Sequence, residues 1–356
     1  MYRTLCVMAL VALCAGSAHS FSWEIVTAVS NRLEFLDVNG TITHTENMTK
    51  PFYFLSYDPV HHRVLFADFY NIYSFDIAAK KTEVLIDSIN RPLSSLAYDP
   101  ATELLFWVKG GQNIYSISLK PELNNSKFNE KQFILSEEYI QNIAVDICGG
   151  FIYGRATSYV HRARFNGSET ELIIGKTHHL NSLTIDQRSQ KMYLVGKGVI
   201  ESADLNGNNL RTIHGSTQIL DNRYNLAVSK DFIYWRFYDD KKKKFTIWQF
   251  PKSSPRGIDV EPKLFIERDE YVSEIVANYN IEDIPNCDTL KSLLPNISVS
   301  TDNPVSLLCV HGTKVSGESR CECTQGYSGE RCDVPVCYNY CLHGDCSASA
   351  EGQPIC

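Results

Sequence analysis

Residues Leu55–Ile77 read LSYDPVHHRVLFADFYNIYSFDI, and much of the chain is organised as copies of this stretch. It returns at Leu96 as LAYDPATELLFWVK, at Ile143 as IAVDICGGFIYGR, at Leu183 as LTIDQRSQKMYLV and at Leu226 as LAVSKDFIYWR. From Asp58 through Asp99, Asp146 and Asp186 to Ser229 the steps are 41, 47, 40 and 43 residues. A period of that size marks a propeller blade. Each copy opens with a short apolar segment, usually ending in Asp, turns, and re-enters an aromatic-rich segment. Two further short segments follow. Aromatic and β-branched runs between turn residues predict four antiparallel strands per copy, here A to D from the axis outward. Strands C and D are joined by Val38-Asn39-Gly40, Phe165-Asn166-Gly167 and Leu205-Asn206-Gly207. Asn-Gly predicts a two-residue type I′ hairpin with positive φ at both residues.

Such a blade cannot cover its own apolar faces, so the copies must pack radially. Five copies begin at strand A. A sixth is expected to be split, with outer strands from residues 25–45 and the inner strand from 272–278. Pairing the two ends would close the ring and remove a free sheet edge.

At 356 residues and 44% apolar, the chain can bury one large core and carry a smaller appendage. A net charge of −7 argues against nucleic acid, and the one lysine run, Lys241 to Lys244, follows Asp239 and Asp240 as a solvated hairpin tip would. Arg3, the apolar run 5–15 and Ala18-His19-Ser20 make residues 1–20 a signal peptide, too short to span a bilayer. Cys6 and Cys14 leave with it. Nine of the ten remaining cysteines lie after residue 286, the density of a disulfide-stapled extracellular module. Sequons at Asn39, Asn47, Asn124, Asn166 and Asn296 agree with secretion and a cell-surface or extracellular location. No apolar stretch of about twenty residues follows the signal, so membrane association is expected only through a segment absent from this chain.

The tetrapeptide after each A strand carries a resemblance. Leu65-Phe66-Ala67-Asp68, Phe106-Trp107-Val108-Lys109, Ile152-Tyr153-Gly154-Arg155, Met192-Tyr193-Leu194-Val195 and Ile233-Tyr234-Trp235-Arg236 resemble the LDL-receptor class B, or YWTD, repeat. Only the first keeps the Asp from which that family derives blade-to-blade polar bonding. The resemblance implies an all-β fold: a six-bladed YWTD-type β-propeller followed by small disulfide-rich EGF-like modules. A degenerate propeller directly behind the signal, then EGF-like modules, is most similar to the insect Cueball family, which implies a type I membrane protein with a role in germ-cell development. The expected domains are a signal over 1–20, the propeller over 21–281, a first EGF-like unit over 282–333 and an incomplete second over 334–356.

Two frames, Asp283-Ile-Pro-Asn-Cys287 and Asp333-Val-Pro-Val-Cys337, begin the modules. By EGF connectivity the resemblance implies pairs Cys309–Cys321, Cys323–Cys332, Cys337–Cys346 and Cys341–Cys356. Cys148 and Cys287 are left over. Cys148 lies in an A-to-B turn, on the face where the closing strand releases the chain, and a tether between the two competes with a buried free thiol. The acidic residues before each first cysteine are reduced to Asp283 and Asp333, so no structural calcium is expected.

No G-x-S-x-G, H-E-x-x-H or paired-carboxylate motif occurs, and no enzyme activity or cofactor is expected. Asp58, Asp99, Asp146 and Asp186 share one position in the repeat and read as strand-end bonding to the turn, not as a metal site. Asn39, Asn124 and Asn166 all fall in C-to-D connections, so three of the four propeller sequons crowd one rim, with only Asn47 near the other, and their glycans exclude partners there. An extracellular protein ligand should use the opposite face, where the D-to-A and B-to-C loops carry Phe69, Tyr70, Lys109, Tyr159, Phe237 and Tyr238 as candidate anchors. An endocytic lipoprotein or vitellogenin receptor fragment, a calcium-dependent propeller lactonase and a secreted matrix adaptor are the alternatives.

Overall fold

The computed structural model describes residues 21–87, 89–111, 113–120, 131–135, 139–175, 179–215, 225–252, 261–280, 282 and 284, together with short strand pairs between 312 and 355. Six four-stranded antiparallel sheets account for the propeller. The inner strands of blades 1 to 5 are Phe54–Asp58, Leu93–Asp99, Asn142–Asp146, Ser182–Asp186 and Asn225–Val228. In blade 6 the inner strand Val272–Ala277 pairs with Ile25–Val29 from the other end of the chain, followed by Arg32–Leu36 and Ile42–Asn47. Consecutive inner strands touch, and the sixth meets the first. The ring therefore closes as the split sixth copy requires. No α-helix occurs among the described residues.

Burial follows the radial order. The B strands of blades 1 and 3 are almost wholly buried and the A strands at least half so, whereas the D strands of blades 1 and 6, Lys81–Ile86 and Ile42–Asn47, are mostly exposed. Six apolar clusters form the core, each lying between two neighbouring blades. Trp107, Tyr98, Tyr153, Tyr234, Phe35 and Phe106 are among the largest fully buried side chains. Each buried large apolar side chain contributes about 1.5–3 kcal/mol, so stability resides in the seams between blades and no blade is stable alone.

The C-to-D turns correct one expectation. In Asp37–Thr41 the Gly40 N–H donates to the Asp37 carbonyl at 3.0 Å and the Asp37 N–H to the Thr41 carbonyl at 2.9 Å; the turns at Gly167 and Gly207 repeat both bonds. Only the glycines take positive φ, 85°, 84° and 83°, while the asparagines do not. These are three-residue loops, a type I turn followed by a left-handed glycine, and not type I′ hairpins. Neighbouring blades supply a second reason for glycine. A Cβ on Gly40 would lie 2.8 Å from the Phe265 carbonyl oxygen, and one on Gly207 would lie 2.4 Å from that of Ile173.

The chain divides into two compact units, Met1–Pro295 and Asn296–Cys356. In the second, Gly312–Lys314 pairs with Cys321–Cys323, Tyr327–Ser328 with Val334–Pro335, and Ser347–Ala348 with Pro354–Ile355. The four expected EGF disulfides, Cys287, Asn124 and Asn296 lie outside the described residues or their described side chains.

Candidate functional site

The wheel has a lower face, made of A-to-B and C-to-D turns, and an upper face, made of B-to-C and D-to-A connections. On the lower face strand A of blades 1 to 4 ends in a carboxylate that accepts N–H groups of the next turn. Asp58 accepts from Val60 and His61, Asp99 from Ala101 and Thr102, Asp146 from Gly149, and Asp186 from Arg188 and Ser189. Burial pushes the carboxyls of Asp99 and Asp146 up. Burial opposes ionisation of Asp58 as well, yet the bond from His61 and the Arg63 guanidinium hold it below the usual range.

The chain leaving blade 6 then lies against this lower face. Tyr279 meets Tyr57 edge-on at 5.7 Å, and burial, beside Asp58 and Asp99, holds its phenol well above the ordinary value. Ile284, 1% exposed, joins the blade 2–3 cluster, against which Cys148 and Tyr279 also pack. Asn39 and Asn166 sit exposed at the tips of C-to-D turns on the same side.

The upper face differs. Phe69, Tyr70, Tyr139, Tyr159 and Tyr271 are 40%, 50%, 52%, 36% and 46% exposed, and all five lie there; among the described residues the other exposed large apolar side chains are aliphatic and lie on outer strands or C-to-D turns. Phe69 stacks on Tyr53 at 4.3 Å, and Tyr271 packs edge-on to Phe245 at 5.1 Å, so both project from rigid supports. Of the six anchors expected from sequence, Phe69, Tyr70 and Tyr159 reach solvent. Lys109 does not: it is 9% exposed, with its ammonium 4.3 Å from the Tyr115 ring centre, because strand B carries it into a seam. Phe237 is half-buried beside Trp248 between blades 4 and 5, and Tyr238 lies against Phe245 between blades 5 and 6. Tyr139 and Tyr271 are additions. Both immediately precede an inner strand or its lead-in, a place the repeat alignment could have marked.

No protein-family model matches the chain. The propeller is similar to a chain in the crystal structure of a nidogen/laminin complex, with a TM-score of 0.56 and 13% identity, covering 71% of this chain and 97% of that one. That likeness shows the fold. Protein cueball of Anopheles gambiae is 23% identical over an alignment that takes in 98% of this chain, that of Aedes aegypti 22% over 97%, and that of Drosophila grimshawi 25% over 94%. The chain resembles the insect cueball proteins. It covers 58%, 57% and 62% of those three, about six-tenths of their length.

In this cueball-like chain the polar bonding between blades has moved. Asp68 accepts from Tyr70, Asn71 and Tyr73, all in its own blade. At the same place in blades 3 and 5 stand Arg155 and Arg236, whose Nη1 groups donate to the carbonyls of Leu180 and Val272 in the next blade. Burial pushes the Arg155 guanidinium down to about 10. A second set of links joins five of the six neighbouring pairs of inner strands around the axis. The backbone N–H of Ile143 donates to Ser95, Leu183 to Asn142, Leu226 to Ser182, Ile275 to Asn225 and Leu55 to Glu274, at 2.7–3.3 Å. Asn142, Ser182 and Asn225 open their strands, a polar position ahead of the first apolar residue, which is the sequence signal for these links, while Ser95 lies two residues inside its strand, after Leu93. Asn142, Asn225 and Glu274 also line an axial well of about 120 Å³ with Tyr279 at its lower end. Burial raises the Glu274 carboxyl to about 7.

Cys148 is disulfide-bonded, which removes the free-thiol alternative; its partner lies outside the described residues.

Proposed function

We propose that the chain is the extracellular recognition part of a non-catalytic receptor-like protein, capturing a protein partner on the upper face of its propeller. The observation that carries this reading is the segregation of exposed aromatics: among the described residues all five lie on the face away from Asn39, Asn166 and the segment ending at Ile284, a face near which Asn47 is the one described propeller sequon. Rigid aromatic side chains with one polar end are favoured interface anchors. The chemistry of the axis supports a structural role over a lactonase site. The Asn142 and Asn225 oxygens accept backbone N–H groups, and Asn225 Nδ2 donates to Glu274 at 3.2 Å, leaving a donor where a metal would need a lone pair. The resemblance to cueball proteins supports an extracellular, secretory-route location, a type I anchor in the part those relatives have beyond this length, and a germ-cell role. Cys287 is the partner we assign to Cys148, since Ile284, three residues earlier, is packed in the same cluster.

The test is surface binding of the purified, glycosylated protein to germ-line and somatic cells of its own species. Tyr70→Ala and Tyr159→Ala should each weaken staining several-fold, as truncated anchors do, while thermal melting stays unchanged. Staining that survives both substitutions in a folded protein would remove the upper face from the reading.

A further inference from the structure

Where blade 6 meets blade 1, the outer sheets part to leave a cavity of about 270 Å³ beneath the D-to-A connection at the ring's closing seam. Its lining includes Asn47, Lys50, Phe66, Asp68, Tyr73 and Thr82. Phe66, 2% exposed, is stacked beneath Tyr73 at 5.1 Å and 15°, so the half-buried Tyr73 ring is the aromatic wall, and Tyr73 donates its hydroxyl to Asp68 Oδ2 at 3.0 Å. The remaining groups named are polar or charged. An apolar wall edged by hydrogen-bonding groups suits a pyranose ring, which presents C–H bonds on its face and hydroxyls or an acetamide at its edge. The volume lies just below the roughly 300–1,000 Å³ of ordinary ligand sites, enough for a single ring.

The cavity comes with its own attachment point. Asn47-Met48-Thr49 is an N-glycosylation sequon, and Asn47 is both exposed and part of the lining. We propose that this cavity seats the first N-acetylglucosamine of a glycan on Asn47, so that the sugar fills the gap between blades 6 and 1 and braces the closing seam. The inference rests on Asn47 being an occupied glycosylation site. In that modification the Asn47 amide nitrogen displaces the diphosphate of a lipid-linked oligosaccharide, forming the N–C1 bond; the lipid diphosphate leaves and the amide proton is lost. Asn39 and Asn166 carry the same sequon at exposed turn tips and serve as internal references.

The experiment uses protein secreted from a glycosylating eukaryotic host. Site occupancy is measured by mass spectrometry, followed by native digestion with an amidase that cleaves the Asn–sugar bond. The expected result is occupancy at Asn47 with release about tenfold or more slower than at Asn39 and Asn166, the difference vanishing on denaturation, because cleavage must await local opening. Thr49→Ala, which removes the sugar but keeps Asn47, should lower Tm by a few degrees, whereas Asn39→Gln should leave it unchanged. Release at Asn47 as fast as at the other two sites, or a Thr49→Ala protein with unaltered Tm, would overturn the seat while leaving Asn47 as a glycosylation site. An unmodified Asn47 would overturn both.

Discussion

On the lower face four aspartates, Asp58, Asp99, Asp146 and Asp186, hold the same position in successive copies and accept N–H groups from the turns that follow. On the upper face the exposed aromatics come from unlike places: Phe69 and Tyr70 from a B-to-C turn, Tyr159 from the start of a C strand, Tyr139 and Tyr271 from D-to-A connections. A role repeated around the wheel is one the fold demands, since every unsplit blade must make the same A-to-B turn and every blade must seal the same kind of seam. A residue present in one blade alone is free of that demand. The two faces should therefore respond to substitution in opposite ways, stability failing on one and binding on the other.

The largest contrast is expected between Ile284 and Tyr70. Ile284→Ala empties a fully buried site and should cost about 2–5 kcal/mol in chemical denaturation, whereas Tyr70→Ala, half exposed, should stay within about 0.5 kcal/mol. Equal losses would dissolve the distinction between the faces. Loss of the lower-face disulfide comes next. Cys148→Ser should cost about 2–4 kcal/mol, and peptide mapping of the unreduced wild type should link Cys148 to Cys287. A link to any other cysteine would detach the segment through Ile284 from this bond.

Glu274, at the closing seam, gives a smaller effect with a definite sign. Its carboxyl is raised to about 7 in the folded chain from an ordinary value of 4.5, so between those pH values the folded state binds more protons than the unfolded one. Stability should fall as pH rises from 4.5 through 7, by about 1–3 kcal/mol because the carboxyl borders the axial well and keeps some contact with solvent. Glu274→Gln should remove that part of the slope; an unchanged pH profile would show that the carboxyl is not the titrating group.

The repeat was readable because each A and B strand alternates or runs apolar in a fixed frame, and the split sixth blade followed from five complete copies. The turn geometry was not readable. Asn-Gly serves both a two-residue loop and a type I turn with a left-handed glycine, and the choice goes with the approach of the next blade, as at Gly40 and the Phe265 carbonyl. Lys109 looked like a surface cation because it follows an aromatic strand end; its burial depends on Tyr115 from the adjacent strand. Arg155 and Arg236 looked like losses from the YWTD motif, but their partners, Leu180 and Val272, belong to the following blades. In each case the deciding atom lies on another strand or blade, which strand periodicity within one copy does not reveal.

Glycan wedges on the two faces test the central claim most directly. Tyr271→Asn creates the acceptor sequence with Val272 and Ser273 on the upper face, and Asn208→Thr creates one at Asn206 in a lower C-to-D turn matching those of Asn39 and Asn166. With occupancy verified and folding intact, the upper wedge should abolish cell-surface binding and the lower wedge should leave it unchanged. Binding that survives the upper wedge, or is lost with the lower one, would contradict the account.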